Sequence, residues 1–260
     1  MKALVSLFTI IPVNVTGDDV DELSRRFWLT PLIGLLYGAL AGGLFFLLIQ
    51  AFDPLIGATV TLLAVHSLNR FLHFDGLIDL GDGLIATGPQ EKKLGAMKDT
   101  RVGAGGVGFG ILFSLLAVTA LSSVTGTALE PMVFILPLAM EVLAKNALVT
   151  VAALGKPREG LGSPFVANTP KRHAIYSGML SFAILVAALA VVHWPMRYVL
   201  CLAVLMVASS SLIGAAVSAL GHRSFGCVNG DIMGATNELA KPLVLMAGMA
   251  GVVLLLSMPF

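Results

Sequence analysis

Seven stretches of the chain are apolar over about the length needed to cross a bilayer, roughly 20 residues in a helix. Shorter segments rich in polar and charged residues separate them. The predicted spans are residues 31–51, 54–70, 106–127, 131–154, 174–193, 197–221 and 242–259. This pattern predicts an all-α, polytopic membrane bundle of about seven transmembrane helices, formed as a single domain over residues 1–260.

The composition agrees with a membrane location. Residues of the AVILMFWYC set make up 57% of the chain and charged residues 12%, and the mean hydropathy is +0.93. Soluble domains carry about twice that charged fraction, so we expect membrane lipid to surround the protein. The net charge of +1 provides no field for nucleic acid, which is therefore not an expected partner.

The basic residues are strongly asymmetric. Seven spans put the N-terminus and the segments 71–105, 155–173 and 222–241 on one side of the membrane. All Lys and Arg residues except Arg197 and Lys145 fall on that side or at its helix ends, which is 14 of 16. Because basic residues favour the cytoplasmic side, we expect these segments to face the cytoplasm from the cell membrane. The first residues, Met1 to Phe8, are expected to lie at the membrane interface.

Three aspartates dominate the first polar segment. Asp75, Asp79 and Asp82 are spaced i, i+4 and i+7, so in a helix their carboxylates share one face. Unpaired anions on adjacent turns repel one another, and oxygen ligands of this kind suit Mg²⁺ shared with substrate phosphates. The alternative is a solvated acidic surface.

Polar residues continue upstream of these aspartates. Asn69, Arg70 and His73 lie on the helical stripe that begins at His66. We take Asn69 and Arg70 as candidate substrate contacts and His73 as a candidate substrate contact or proton acceptor. A lone histidine such as His66, inside a predicted span, is more often a packing residue.

A second cluster runs from Met97 to Gly110. Asp99 offers another metal-ligand oxygen, while Lys98 and Arg101 suit phosphate oxygens, Arg with two parallel hydrogen bonds. Gly103 is expected at a turn that lets the backbone approach a phosphate. The later glycines, Gly106 and Gly110, favour close helix packing instead.

A third cluster, Asn229 to Glu238, is polar and compact and lies between two predicted spans. Asp231, Asn237 and Glu238 are candidate substrate contacts. The alternative is a capped helix start with Asp231 as the N-cap residue. Inside a span, Glu141 and Lys145 are spaced i, i+4 and can pair; such groups at membrane depth are costly and are either functional or a structural ion pair.

These clusters, in this order, resemble the cobalamin synthase family, the adenosylcobinamide-GDP ribazoletransferases. That family shows H-x-D-G-x-x-D-x-x-D-G, then M-K/R-D-S/T-R-x-G, then G-D-x-x-G-A. The matching segments are His73 to Gly83, Met97 to Gly103 and Gly230 to Ala235. With supporting matches near Phe8 to Val13 and Pro31 to Gly34, the resemblance covers nearly the whole chain.

The resemblance implies an enzyme, a phosphotransferase of cobalamin biosynthesis. The implied partners are adenosylcobinamide-GDP and α-ribazole or its 5′-phosphate, with Mg²⁺ as cofactor and GMP as the leaving product. Carried over, the metal and diphosphate ligands are Asp75, Asp79, Asp82 and Asp99. Lys98 and Arg101 would stabilise the leaving group, His73 would act as base, and Asp231 would contact nucleotide or ribazole.

Two other functions are alternatives for these clusters. A CDP-alcohol phosphotransferase also displaces a nucleoside monophosphate, but its motif needs D-G-x-x-A-R where this chain has Asp75 to Asp79. A divalent-cation transporter would need acidic residues at mid-membrane on several helices, and only Glu141 fits. The oligomeric state stays open, with a homo-oligomer as one option.

Overall fold

The computed structural model describes residues 16–126 and 129–257; in these ranges the chain is helical and no β-strand forms. The all-α prediction is therefore confirmed, whereas the predicted interfacial segment Met1 to Phe8 lies outside these ranges. The helices are α1 (Gly17–Arg25), α2 (Thr30–Leu48), α3 (Pro54–Leu68), α4 (Leu72–Ile85), α5 (Gln90–Met97), α6 (Ala104–Ser122), α7 (Ile135–Leu154), α8 (Ser163–Ala167), α9 (Lys171–Ala190), α10 (Met196–Phe225) and α11 (Gly230–Ser257).

Within the described ranges, six continuous helices are long and apolar enough to cross a membrane, namely α2 (with the turn before it), α6, α7, α9, α10 and α11. The pair α3 and α4 passes the same test only together, and it bends by 97° at the break. Counted as one broken span, the pair brings the number to seven, which confirms the predicted bundle.

The break between α3 and α4 is a tight turn of three residues, Asn69 to Phe71. Arg70 and Phe71 both adopt the left-handed region, each with φ of 56°, and the Phe71 N–H donates to the His66 carbonyl at 2.8 Å. Non-glycine residues rarely adopt this conformation because their Cβ atoms crowd the backbone. The surrounding packing therefore imposes the bend, which turns the carboxylate-bearing α4 away from the direction of α3.

Helix α7 is the centre of the bundle. Every residue of its most apolar 18-residue window is buried inside the protein, compared with 33–56% for the other spans. Helices α2, α9, α10 and α11 all pack against it. Polar side chains on α7 consequently have only protein around them and must find their partners on neighbouring helices.

A stripe of glycines lets α2 approach α7 closely. A Cβ atom added at Gly34, Gly38 or Gly42 would lie 2.5–2.7 Å from a backbone atom in or next to α7. The atoms belong to Glu141, Leu138 and Phe134, respectively. Small residues spaced four apart are the usual means by which membrane helices bring their backbones together. Any larger residue at these three positions would push the two helices apart.

Helix α11 begins earlier than the hydropathy pattern predicted. Residues 222–241 were expected to form a loop before a span at 242, but the helix runs from Gly230 to Ser257 with Pro242 inside it. The prediction failed because the polar residues of the first turns are satisfied within the bundle. Lys241, counted among the loop basic residues, is 1% exposed.

The loops at one end of the bundle are tied to each other, and we call this the polar end. Pro157 and Val228 form an isolated β-bridge, and the Lys156 N–H donates to His222 Nε2 at 3.1 Å. Nearby, the Asn168 side chain donates to Ser24 Oγ at 2.7 Å. These contacts join α1, the loop after α7 and the α10–α11 connection into one rim.

Candidate active site

The predicted carboxylate face lies on α4 at the polar end. Asp75 is exposed, and Asp79 and Asp82 are half-buried. The stretch is helical from Leu72 to Ile85, as the i, i+4, i+7 spacing required. The three carboxylates therefore project from successive turns of one helix.

A fourth carboxylate, that of Asp231, joins them from the start of α11. The two helices meet at Gly76, where a Cβ atom would lie 2.6 Å from the Asp231 carbonyl oxygen, and at Gly234, where one would lie 3.2 Å from His73 Cα. Glycine at both points permits this close approach. The resulting contact brings a carboxylate 156 residues further along the chain beside Asp75.

Asn229 fixes the orientation of Asp231. Its side-chain oxygen accepts from the Ile232 N–H at 3.0 Å, and its amide donates to Asp231 Oδ2 at 2.9 Å. Asn229 is thus the capping residue, the role that the sequence alternative gave to Asp231. Sequence reasoning included Asn229 only as part of a cluster, although its position at the helix start is a typical N-cap preference.

Asp79, Asp75 and Asp231 form what we call the acidic patch. The charges that act on Asp79 within the described ranges are all negative, those of Asp231, Asp75 and Asp82. Lys98 is the basic residue that acts on Asp231. Gathered like charges are unfavourable unless a cation joins them, so the patch is suited to a bound cation.

The patch is not a complete metal cage. Across the residues that the structure describes, no three His, Cys, Asp or Glu side chains are already grouped as metal ligands. Mg²⁺ commonly binds one or two protein carboxylates and takes its remaining ligands from water and substrate phosphates. The acidic patch fits that mode and does not fit an all-protein site.

Asp82 has partners of its own. Its Oδ2 accepts from the Gly103 N–H and its Oδ1 from the Gly106 N–H, each at 2.8 Å. A carboxylate that accepts N–H groups at a helix start satisfies unpaired donors and the positive end of the helix. Asp82 thereby holds the beginning of α6 against α4. Its predicted role as a metal ligand stays a prediction.

The glycines of the second cluster, which runs from Met97 to Gly110, differ in what they contact. The Gly103 N–H donates to Asp82, and Gly103 has an extended φ of −93°; the approach of its backbone to a phosphate stays a prediction. A Cβ atom at Gly106 would lie 2.6 Å from Ile78 Cγ2, so the close packing predicted for Gly106 is confirmed. A Cβ atom at Gly110 would lie farther from its nearest neighbour, 3.3 Å from Phe74 Cζ.

Asp99 and Arg101 pair with each other at the surface. Arg101 donates from Nε to Asp99 Oδ1 at 3.2 Å and from an Nη atom to Oδ2 at 3.0 Å. These hydrogen bonds hold the pKa of Asp99 below its usual range. Exposed pairs are weak, so either residue can exchange its partner for a ligand at little cost.

His73 and Asn69 are buried, at 4% and 5% exposure. His73 lies where α4 contacts α11 and is within reach of the charges of Lys145 and Glu238. Asn69 lies in the turn between α3 and α4, where its backbone carbonyl accepts from Leu72. Arg70 occupies the same turn with an exposed side chain. Their predicted contacts with substrate stay predictions.

Two other predicted contacts, Asn237 and Glu238, lie deeper in α11, inside a buried ionic network. Lys241 Nζ is 3.0 Å from Glu238 Oε1 and 3.4 Å from Glu141 Oε1. The Lys145 ammonium lies 3.8 Å from Glu141 Oε2. The network thus contains two glutamates and two lysines, each at most 5% exposed.

Asn237 connects the two halves of this network. Its amide donates to Glu238 Oε1 at 2.9 Å, and its side-chain oxygen accepts from Lys145 Nζ at 2.6 Å. The predicted Glu141–Lys145 pairing is confirmed. Sequence reasoning missed that Lys241 and Asn237 complete it from another helix.

Comparison with known proteins adds independent information. A family model described as cobalamin-5-phosphate synthase matches residues 1–250. The adenosylcobinamide-GDP ribazoletransferase of Methanocella arvoryzae is 35% identical over 266 residues, covering 98% of this chain and 96% of that protein. Proteins of the same name from Methanococcoides burtonii and Citrobacter koseri are 31% and 30% identical, covering 95% and 94% of this chain. No solved structure matches the chain.

Proposed function

Because the chain belongs to the cobalamin-5-phosphate synthase family, which makes it a transferase of cobalamin biosynthesis, we propose that it is an adenosylcobinamide-GDP ribazoletransferase. It would transfer the adenosylcobinamide-phosphate group to α-ribazole or α-ribazole 5′-phosphate. The observation that carries this proposal is the acidic patch of Asp75, Asp79 and Asp231, which is suited to a cation that grips a diphosphate.

The reaction exchanges a phosphoanhydride bond for a phosphate ester bond at one phosphorus. A ribazole hydroxyl oxygen forms a new bond to the phosphorus that bears cobinamide. The bond from that phosphorus to the oxygen bridging the two phosphates breaks, and GMP departs with the bridging oxygen. The hydroxyl proton passes to a base or to water. Positioning and charge stabilisation supply most of the catalysis in transfers of this type.

Mg²⁺ is the proposed cofactor, held by the acidic patch of Asp75, Asp79 and Asp231, of which one or two carboxylates would bind it directly. When bound, it would neutralise the diphosphate charge. The chain's own residues do the rest: Asn229 orients Asp231, and the glycine contact at Gly76 fixes the distance between α4 and α11. Asp82 is proposed as a further metal ligand that keeps its hydrogen bonds to the start of α6.

The departing GMP gains negative charge, which basic residues can stabilise. Lys98 acts on Asp231 electrostatically and is the first candidate. Arg101, now paired with Asp99 at the exposed surface, can turn to a phosphate with two parallel hydrogen bonds. We propose that both hold the leaving phosphate and that the polar end, which carries them, faces the cytoplasm.

Turnover by purified protein tests the proposal. In detergent or nanodiscs with Mg²⁺, GMP is expected from adenosylcobinamide-GDP only when α-ribazole is also present. GMP without acceptor would indicate hydrolysis instead of transfer. CMP released from CDP-linked lipid precursors, with adenosylcobinamide-GDP left intact, would show a CDP-alcohol phosphotransferase and contradict the proposal.

A further inference from the structure

A cleft opens at the polar end beside the acidic patch, between α4, α7, α8 and the start of α11. Its volume is about 200 Å³, and its walls include Phe27, Leu148, Phe165 and Met233. Each of these side chains is at most 8% exposed. These walls are therefore apolar, although His73, Asp75 and Asp231 also line the cleft.

Its size restricts what can enter. Pockets for drug-sized ligands measure about 300–1,000 Å³, so a cleft of about 200 Å³ accommodates one fused ring system and not a corrin macrocycle. The rings of Phe27 and Phe165 lie 5.0 Å apart between centroids and form an aromatic wall. Planar bases bind such walls by stacking.

The polarity of the cleft distinguishes between two candidate bases. Guanine has several donors and acceptors on its edge, and the walls formed by Phe27, Leu148, Phe165 and Met233 offer them no side-chain partner, which makes their burial against those walls unfavourable. The base of α-ribazole is a benzimidazole, whose edge carries no N–H donor. The carboxylates lining the cleft, those of Asp75 and Asp231, are partly or fully exposed and suit ribose hydroxyls, which acidic residues commonly accept.

We propose that this cleft is the acceptor subsite: it takes the benzimidazole base of α-ribazole, and the carboxylate oxygens of Asp75 and Asp231 that do not hold Mg²⁺ accept hydrogen bonds from its ribose hydroxyls. The inference rests on the proposed function and deepens it. It locates the attacking alcohol beside the acidic patch, while adenosylcobinamide-GDP approaches the patch from outside the cleft.

Leu161 offers a test that does not disturb the fold. It lines the cleft, yet it is 98% exposed, and it follows Gly160, whose φ of +144° favours glycine. A base seated in the cleft would cover this side chain. Leu161→Asp would put a charge against the base without removing any packed side chain.

The experiment measures the KM of each substrate separately in two variants. Leu161→Asp and Phe165→Ala are each expected to raise the KM for α-ribazole by about tenfold, the effect of losing one stacking contact. The KM for adenosylcobinamide-GDP should stay unchanged. Phe52→Ala, at an exposed position remote from the cleft, is the matched control and should alter neither value.

A raised KM for adenosylcobinamide-GDP with an unchanged KM for α-ribazole would overturn the inference, because the cleft would then hold guanine. Unchanged KM values for both substrates in Leu161→Asp would also overturn it. Equilibrium dialysis of labelled α-ribazole, without adenosylcobinamide-GDP, tests the acceptor subsite separately from the proposed function. Binding of α-ribazole that is weaker in Leu161→Asp than in wild type supports the subsite. This holds even if wild-type protein forms no GMP and the proposed function fails.

Discussion

The molecule holds two clusters of ionisable groups, and they are balanced in opposite ways. In the buried ionic network, Glu141 and Glu238 are matched by two lysines within 4 Å. In the acidic patch, Asp79 has only negative neighbours among the described residues that act on it. Both clusters bridge helices that are distant in sequence, so packing alone does not explain the difference.

The environment explains it. Charges in the bundle interior are costly unless partners neutralise them. The buried glutamates are therefore neutralised by lysines of the chain itself. The acidic patch borders water at the polar end, where an incomplete set of charges is tolerated until a ligand arrives. We infer that the balanced cluster stabilises the fold and that the unbalanced one is suited to binding a cation.

The largest expected effect comes from unbalancing the network. Lys241→Met leaves Glu141 and Glu238 without their shared cation, and we expect it to lower the free energy of unfolding by about 3–5 kcal/mol. Thermal and denaturant unfolding in mild detergent measure this. Lys92→Met, at an exposed position on α5, is the control and should unfold like wild type. Full stability of Lys241→Met would show that the network does not depend on charge balance.

The next effect comes from weakening the acidic patch. Asp79→Asn removes a negative charge while keeping the shape, so kcat/KM should fall by about 100-fold or more, equivalent to about 2.7 kcal/mol. The unfolding midpoint should not fall, since a repulsive charge is lost. Asp21→Asn, on the exposed side of α1, should leave turnover intact. Normal turnover of Asp79→Asn would exclude that residue from the site.

Asp82 should show a mixed effect because it contacts both α6 and the acidic patch. Asp82→Asn is expected to lower stability by about 1–2 kcal/mol and turnover by about tenfold, through the displaced start of α6. Asp53→Ala is the matched control: Asp53 caps α3 through the Leu55 N–H at 2.8 Å, remote from the site, and Ala removes this cap. It should cost stability without reducing turnover. Equal turnover losses in the two variants would refute a specific role for Asp82.

The smallest effect is expected at the exposed pair. Arg101→Ala frees Asp99, whose pKa returns upward to its usual range, and should leave the unfolding midpoint unchanged. The KM for adenosylcobinamide-GDP should rise a few-fold and become less sensitive to salt. Arg101→Lys should retain part of the affinity. A loss of stability without any change in KM would assign Arg101 a structural role only.

Much of the fold could be predicted because its determinants are local. Hydropathy located the spans, and the spacing of Asp75, Asp79 and Asp82 gave their common helical face. The bend could not be predicted, because Arg70 and Phe71 carry no preference for the left-handed region that packing imposes on them. The stripe Gly34, Gly38 and Gly42 has a spacing that is recognisable in the sequence as a close helix contact.

The site was only partly predictable because half of it depends on contacts between distant segments. Lys145 and Asn237 are separated by 92 positions, and nothing local indicates that they meet. The hydropathy pattern predicted a loop at Glu238 and Lys241, because it takes no account of ion-pair partners on another helix. The same limitation applies to the apolar cleft, whose walls come from five separate segments.

The central claim is that the acidic patch holds a divalent cation on the substrate diphosphate. GMP formation should therefore be measured after exhaustive chelation and during a titration back with Mg²⁺, in wild-type protein and in Asp79→Asn. The account predicts no turnover after chelation, full recovery with Mg²⁺ in wild type, and a need for higher Mg²⁺ in the variant. Equal rates before and after chelation would contradict it.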